Sequence, residues 1–200
     1  MKLILAIIVV ASIQLPSFCQ KINPDSIAHK RNQLNQRNML ALGTWATGNI
    51  VYGSIAAPNH IGDEKYFHRM NVYWNTVNLG LAGASYFLAK KKTHQIISLE
   101  QNLKEQKRLE KILLINTGLD VGYMLTGFYF QNRSQQQNLT ENKYQMKGYG
   151  QSLVMQGTFL LAFDILQYFQ HRKNGKGLGS FANKTSLGFT GQSVAFNYRF

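Results

Sequence analysis

The side chains whose types and spacing suit chemistry lie in stretches of this 200-residue chain that otherwise carry almost no charge. Asn71, Asn75 and Asn78 stand at i, i+4 and i+7, so a helix turns all three amides to one face. Asn116 and Asp120 are likewise four apart, and Gln156, Asp164 and Gln167 share the broad polar side of a later helical stretch. An ionisable group inside an apolar span is expensive and is a functional candidate by default. With His68 and Arg69 at the mouth of the second stretch, Asp120 and Asp164 could line a path for protons or cations. The competing expectation is structural: a closed hydrogen-bond network in which the asparagines satisfy the aspartates and fix helix register. The sequence has no Gly-rich phosphate loop, His-x-x-x-His pair or nucleophile elbow, so no enzyme activity, metal or cofactor is expected.

The elements that must position these groups follow from the charge pattern. The chain holds 22 Lys+Arg against 9 Asp+Glu, a formal charge of +13, yet only 16% of it is charged, against about 25% in an average soluble domain. Residues 38–62 and 70–89 contain no Asp, Glu, Lys or Arg; 112–132 contain only Asp120, and 148–170 only Asp164. Each stretch is about the 20 residues that cross a hydrocarbon core as a helix. Their polar residues are Asn, Gln, Thr, Ser and Gly, which membrane helices use for close packing and interhelical hydrogen bonds. Gly118 and Gly122 form a Gly-x-x-x-Gly step, and Gly53 with Ala57 and Thr44 with Gly48 form two small-residue pairs. Whole-chain mean hydropathy is only −0.22, so an exported soluble bundle is the alternative. A soluble helix needs a charged outer face, which these stretches lack.

The expected fold is an all-α membrane protein, a four-helix bundle with a short C-terminal β-hairpin. Residues 1–19 read as a signal peptide: Lys2, the apolar run Leu3 to Ile13, Pro16, and small residues Ser17 and Cys19 before a cut at Gln20. An uncleaved first anchor and a lipoprotein cysteine at Cys19 are the alternatives. Residues 20–38 form a basic segment, 39–171 the membrane domain with spans at about 39–58, 70–89, 112–131 and 149–170, and 172–200 a basic tail. Lys90 to Lys111 reads as a solvated helix running into the third span, with Glu100 and Lys104 as a favourable i, i+4 pair. Arg172 to Gly177, basic and Gly-containing, is expected to end the fourth helix. Beyond it, Ser186 to Thr190 and Ser193 to Phe200 read as strands around a Gly191-Gln192 turn.

Charge topology leaves a conflict. Residues 20–38, 90–111 and 171–200 carry 16 of the 22 basic residues, so the positive-inside rule puts these three segments in the cytoplasm. A cleaved signal puts the same three outside. Low span hydrophobicity and a last strand similar to the closing strand of outer-membrane barrels leave inner and outer membrane both open.

The segments Gly43-Thr-Trp45 through Asn49, Tyr66 through Asn78, and Gly148-Tyr-Gly150 through Asp164 resemble an uncharacterised family of small multi-pass envelope proteins of Bacteroidota-type bacteria. The resemblance implies an architecture and a bacterial cell-envelope address, with no assigned activity. Two functions are expected on this basis. One is a structural or interaction protein whose basic loops meet membrane lipids, anionic head groups, lipopolysaccharide, an envelope partner or a second copy. The other is a small transporter or channel component using Asp120 and Asp164. An exported chain does not meet a genome, so nucleic acid is not an expected partner.

Overall fold

The structure is a computed structural model that describes residues 24–136, 141–189 and 194–198. The signal-peptide reading of 1–19 and the Gly191-Gln192 turn lie outside the described residues.

Four long helices make the bundle: α1 (Pro24–Asn59), α2 (Gly62–Lys92), α3 (Leu99–Gln135) and α4 (Glu141–Lys184). Pro24 opens α1, where a missing N–H costs nothing, and Asp25 in the first turn favours the helix dipole. The α1–α2 turn depends on Gly62, at φ 61 the one described residue in the left-handed region. Tyr144 of α4 covers that glycine, 3.4 Å from where a Cβ would stand. Lys90, Lys91 and Lys92 close α2 at its negative end, and the Ser98 hydroxyl caps α3 by accepting from the Gln101 amide. The expected single helix over Lys90–Lys111 is corrected: Lys90–Lys92 end α2, residues 93–98 are not helical, and from Leu99 on the Lys- and Glu-rich stretch runs unbroken through α3.

The helices pack as two antiparallel hairpins, α1 with α2 and α3 with α4, joined mainly by α2 lying alongside α4. This order brings the described parts of the three basic segments to one end. There Asn102 Nδ2 donates to the Pro24 carbonyl at 2.6 Å and Asn174 Nδ2 to the Ile27 carbonyl at 3.0 Å. The other end is joined by the Lys147–Asp63 ion pair at 2.9 Å.

The expected stop at Arg172 to Gly177 is corrected: α4 runs on to Lys184. Gly175 is not a left-handed cap but a packing position, since a Cβ there would stand 2.7 Å from the Gln106 side chain. Past α4, the backbones of β1 (Thr185–Phe189) and β2 (Val194–Tyr198) pair antiparallel, from Thr185 opposite Tyr198 to Phe189 opposite Val194.

Buried positions recur every seven residues. On α3 they are Gln106, Leu113, Asp120, Gly127 and Ser134; on α4, Gly150, Gly157, Asp164, His171 and Leu178. On α2, His68, Asn75, Ala82 and Ala89 keep the same period. A seven-residue repeat holds one face of each helix to its neighbours, as in a left-handed coiled coil. What occupies the seam differs from a water-soluble coiled coil, because most of these residues are small or polar. Gly127 and Gly150 face each other so closely that a Cβ on either would come 2.6 Å from the other's carbonyl oxygen. The expected Gly118–Gly122 step is not part of this packing, since neither glycine has a neighbour within 4 Å of a built Cβ.

The distribution of side chains is inverted relative to a soluble bundle. Among the described residues, fifteen polar or charged side chains are buried against ten apolar ones, five of those ten being alanine. Of twenty-four exposed large apolar side chains, twenty-one fall within 39–58, 70–89, 112–131 and 149–170. On α3 they run from Ile112 to Tyr129, a belt about 26 Å tall at 1.5 Å per residue. Among the described residues one helix, Asn142–Leu178, is long and apolar enough by itself to cross a membrane.

Candidate functional site

The buried polar groups form separate layers along the bundle. In the first, the asparagine face of α2 meets α4 and α1. Asn71 Oδ1 accepts from Ser152 Oγ at 2.6 Å and from Gln156 Nε2 at 3.1 Å. Gln156 Nε2 also donates to Asn49 Oδ1 at 3.4 Å, and its own oxygen accepts from Trp45 Nε1 at 3.1 Å. Asn75 Nδ2 donates to the Asn71 carbonyl at 2.9 Å, and Asn78 Nδ2 reaches Asn75 Oδ1 at 3.5 Å. The Trp45 ring stacks on Phe159 at 3.9 Å between centroids, which holds α1 against α4 at this level. Asn75 and Gln156 have no exposed surface, so these bonds are what make their burial tolerable.

The second layer belongs to the α3–α4 seam. Asp164 Oδ1 accepts from Gln167 Nε2 at 2.9 Å, and the Asn116 side chain also hydrogen-bonds Asp164. Asp120 lies within electrostatic reach of Asp164. Its Oδ2 has no hydrogen-bond partner among the described residues, although the residue is only 3% exposed. The expected network therefore divides in two: Asn71 turns to Ser152 and Gln156, with Asn75 and Asn78 bonded behind it along α2, while Asp164 is served by Asn116 and Gln167. Residues 41–165, which hold the asparagine face, Asn116 and both aspartates, match DUF6992, a family of unknown function. The chain belongs to this family. No curated protein and no solved structure matches it.

Within the DUF6992 segment the two expected mouth residues part company. His68 is buried at 6% exposure among Tyr52, His60 and Phe67, whereas Arg69 is exposed. Burial, and then the neighbouring His60, lower the His68 pKa, and its Nδ1 has no partner among the described residues. Among the described residues no group of three or more His, Cys, Asp or Glu could hold a metal.

The third layer, at the basic end, was not legible as a site. Its Arg31 and His171 lie outside the DUF6992 match. Arg31 is 3% exposed; it donates through Nη2 to Glu105 Oε2 at 2.7 Å and through Nη1 to the Asn102 side chain and, at 3.2 Å, to the Asn102 carbonyl. Lys92 donates to the other Glu105 oxygen at 3.1 Å. Gln106 Nε2 links Glu110 at 2.8 Å to the His171 carbonyl at 2.7 Å. Burial pushes the Arg31 pKa below its ordinary value, and the Glu105 carboxylate acts in the opposite direction. His171 has no exposed surface, and among the described residues neither ring nitrogen has a partner. One signal for this layer was present: Asn102 and Gln106 are four apart, and His171 sits seven residues after Asp164. Reading residues 20–38 as a polar segment hid Arg31, which shares a buried helical face with Ala28 and Asn32.

Proposed function

We propose that this chain is an integral membrane protein of the bacterial cell envelope, with a structural or interaction role and no reaction of its own. The observation that carries this reading is the inverted distribution of side chains. Lipid gives no reward for hiding leucine, so helices in it associate through small residues and polar contacts, while large apolar residues face outward. The four charge-poor stretches supply that outer surface, and the Asn–Gln layer and glycine seam supply the inner one. The cleaved signal, the envelope address and the terminal hairpin as part of the fold belong to this proposal. The basic end, with Lys90, Lys91, Lys92, Lys107, Arg108 and Lys111, would meet anionic head groups or lipopolysaccharide phosphates, each charge near such a surface adding about 1 kcal/mol. An envelope protein or a second copy is the alternative partner. The test is membrane fractionation with alkaline carbonate washing. A chain released from the membrane pellet by carbonate would contradict the reading.

The Asp120 Oδ2 atom, buried without a partner, favours a second reading as a small transporter or channel component for protons or cations. Flux into proteoliposomes that disappears in Asp120→Asn, with folding intact, is the expected result. Equal flux in the variant would remove this reading.

A further inference from the structure

The glycine seam leaves two acidic side chains one heptad apart along the α3–α4 contact, Asp120 opposite Gly157 and Asp164 seven residues further along α4. A Cβ at Gly157 would come 2.9 Å from the Asp120 carbonyl oxygen, so α4 lies as close to α3 here as two backbones allow. Asp120 and Asp164 are 3% and 7% exposed. At their level α1 and α2 bring no Asp, Glu, Lys or Arg, since 38–62 and 70–89 contain none. From α3 and α4, residues 112–132 and 148–171 bring no charged partner beyond the pair itself. The next ionisable group along the seam is His171, one heptad from Asp164, and beyond it Arg31 is matched by Glu105. The polar neighbours of the pair are the neutral amides of Asn116 and Gln167, both serving Asp164, while Asp120 Oδ2 is left without a donor.

We infer that Asp120 and Asp164 form a one-proton site, a carboxylic acid and a carboxylate that together carry a single negative charge. Two ionised carboxylates within electrostatic reach along one dry seam repel, and neither has a cation to offset its desolvation. A proton taken from water forms an O–H bond on Asp120 and needs no further reactant. Asp164 is the member that stays ionised, because both amides already bond to it. The two groups then titrate as one unit. The inference rests on the membrane reading, since water at the seam would hydrate both carboxylates.

Infrared spectroscopy of the full chain in lipid nanodiscs at neutral pH reads the site through the C=O stretch of a protonated carboxyl. One such band, shifting in D2O, is expected in the wild type. It should be lost in the Asp120→Asn/Asp164→Asn double variant and retained, at a shifted frequency, in Asp120→Glu. Asp120→Asn alone should melt at the wild-type temperature, because an amide has the shape and neutrality of the acid. A folded wild type without the band overturns the site, as does a band that persists in the double variant. Loss of the band when NaCl replaces choline chloride also overturns it, by making the pair a sodium site. A chain that carbonate strips from membranes fails the membrane reading; one that stays in the membrane but lacks the band fails this inference alone.

Discussion

His171 is held in an environment that opposes its protonation. Burial, and then the charge of Arg31, push its pKa down to about 4. The unfolded chain binds this proton at about pH 6.5, so between these values the unfolded state carries more protons than the folded one. The stabilisation is complete above about pH 6.5 and is lost as pH falls toward 4, a change of about 3 kcal/mol. Melting temperature should fall across that window in the wild type and stay flatter in His171→Phe; equal slopes in the two proteins would show that the ring is not the titrating group. Gly127 makes a second residue-scale prediction. Gly127→Ala sets a methyl against the Gly150 carbonyl, a backbone contact that cannot rotate away, and should cost about 1–3 kcal/mol, read by thermal melting in detergent. At this scale the asparagine face was legible, because i, i+4, i+7 spacing is a property of the sequence alone. The division between asparagines and aspartates was not, because it depends on which helix lies beside α2, and that neighbour is α4.

The element-level design joins α1 to α3 at one end only. Their contact is the Arg31–Asn102–Glu105 layer, while the rest of α1 leans on α2 and α4. Arg31 is nearly fully buried and Glu105 is a quarter exposed. Removing the carboxylate therefore strands a buried charge, whereas removing both partners does not. Glu105→Gln should destabilise the bundle by about 3 kcal/mol, and Arg31→Met/Glu105→Met should recover most of that loss. Similar melting of the single and double variants would show that Lys92 and solvent already compensate the pair. Helix existence was readable from the charge gaps, and the run from the basic loop into α3 from its unbroken pattern. Helix ends were harder to read. Gly175 has the composition of a stop signal, but its role is set by Gln106 on another helix. Gly118 and Gly122 look like a packing step but face outward, and the seam is instead built from Gly127, Gly150 and Gly157, whose pairing emerges only when α3 and α4 are laid antiparallel.

The whole molecule turns the +13 charge into an axis. Alternating helices deliver 14 of the 19 basic residues among those described to segments at one end, and the exposed apolar belt separates that end from Asp63, Arg69 and Lys147. A hydrocarbon core about 30 Å thick matches a belt about 26 Å tall, which makes exposure and water access two different quantities for this protein. They can be separated with single cysteines introduced into a chain carrying Cys19→Ser, labelled in sealed vesicles by a membrane-impermeant maleimide. Leu119 and Leu125, 50% and 63% exposed, should resist the reagent as cysteines even though the protein leaves half or more of each uncovered. Cysteines at Lys91 and Lys173 should react from the same side as each other, and one at Lys65 only from the opposite side. The side on which Lys91 reacts also resolves the conflict between a cleaved signal and the positive-inside rule, since the first puts it outside and the second in the cytoplasm. Rapid labelling of Leu125→Cys at the rate of Lys91→Cys would mean that the belt meets water. The inverted core would then have to be covered by other copies of the chain.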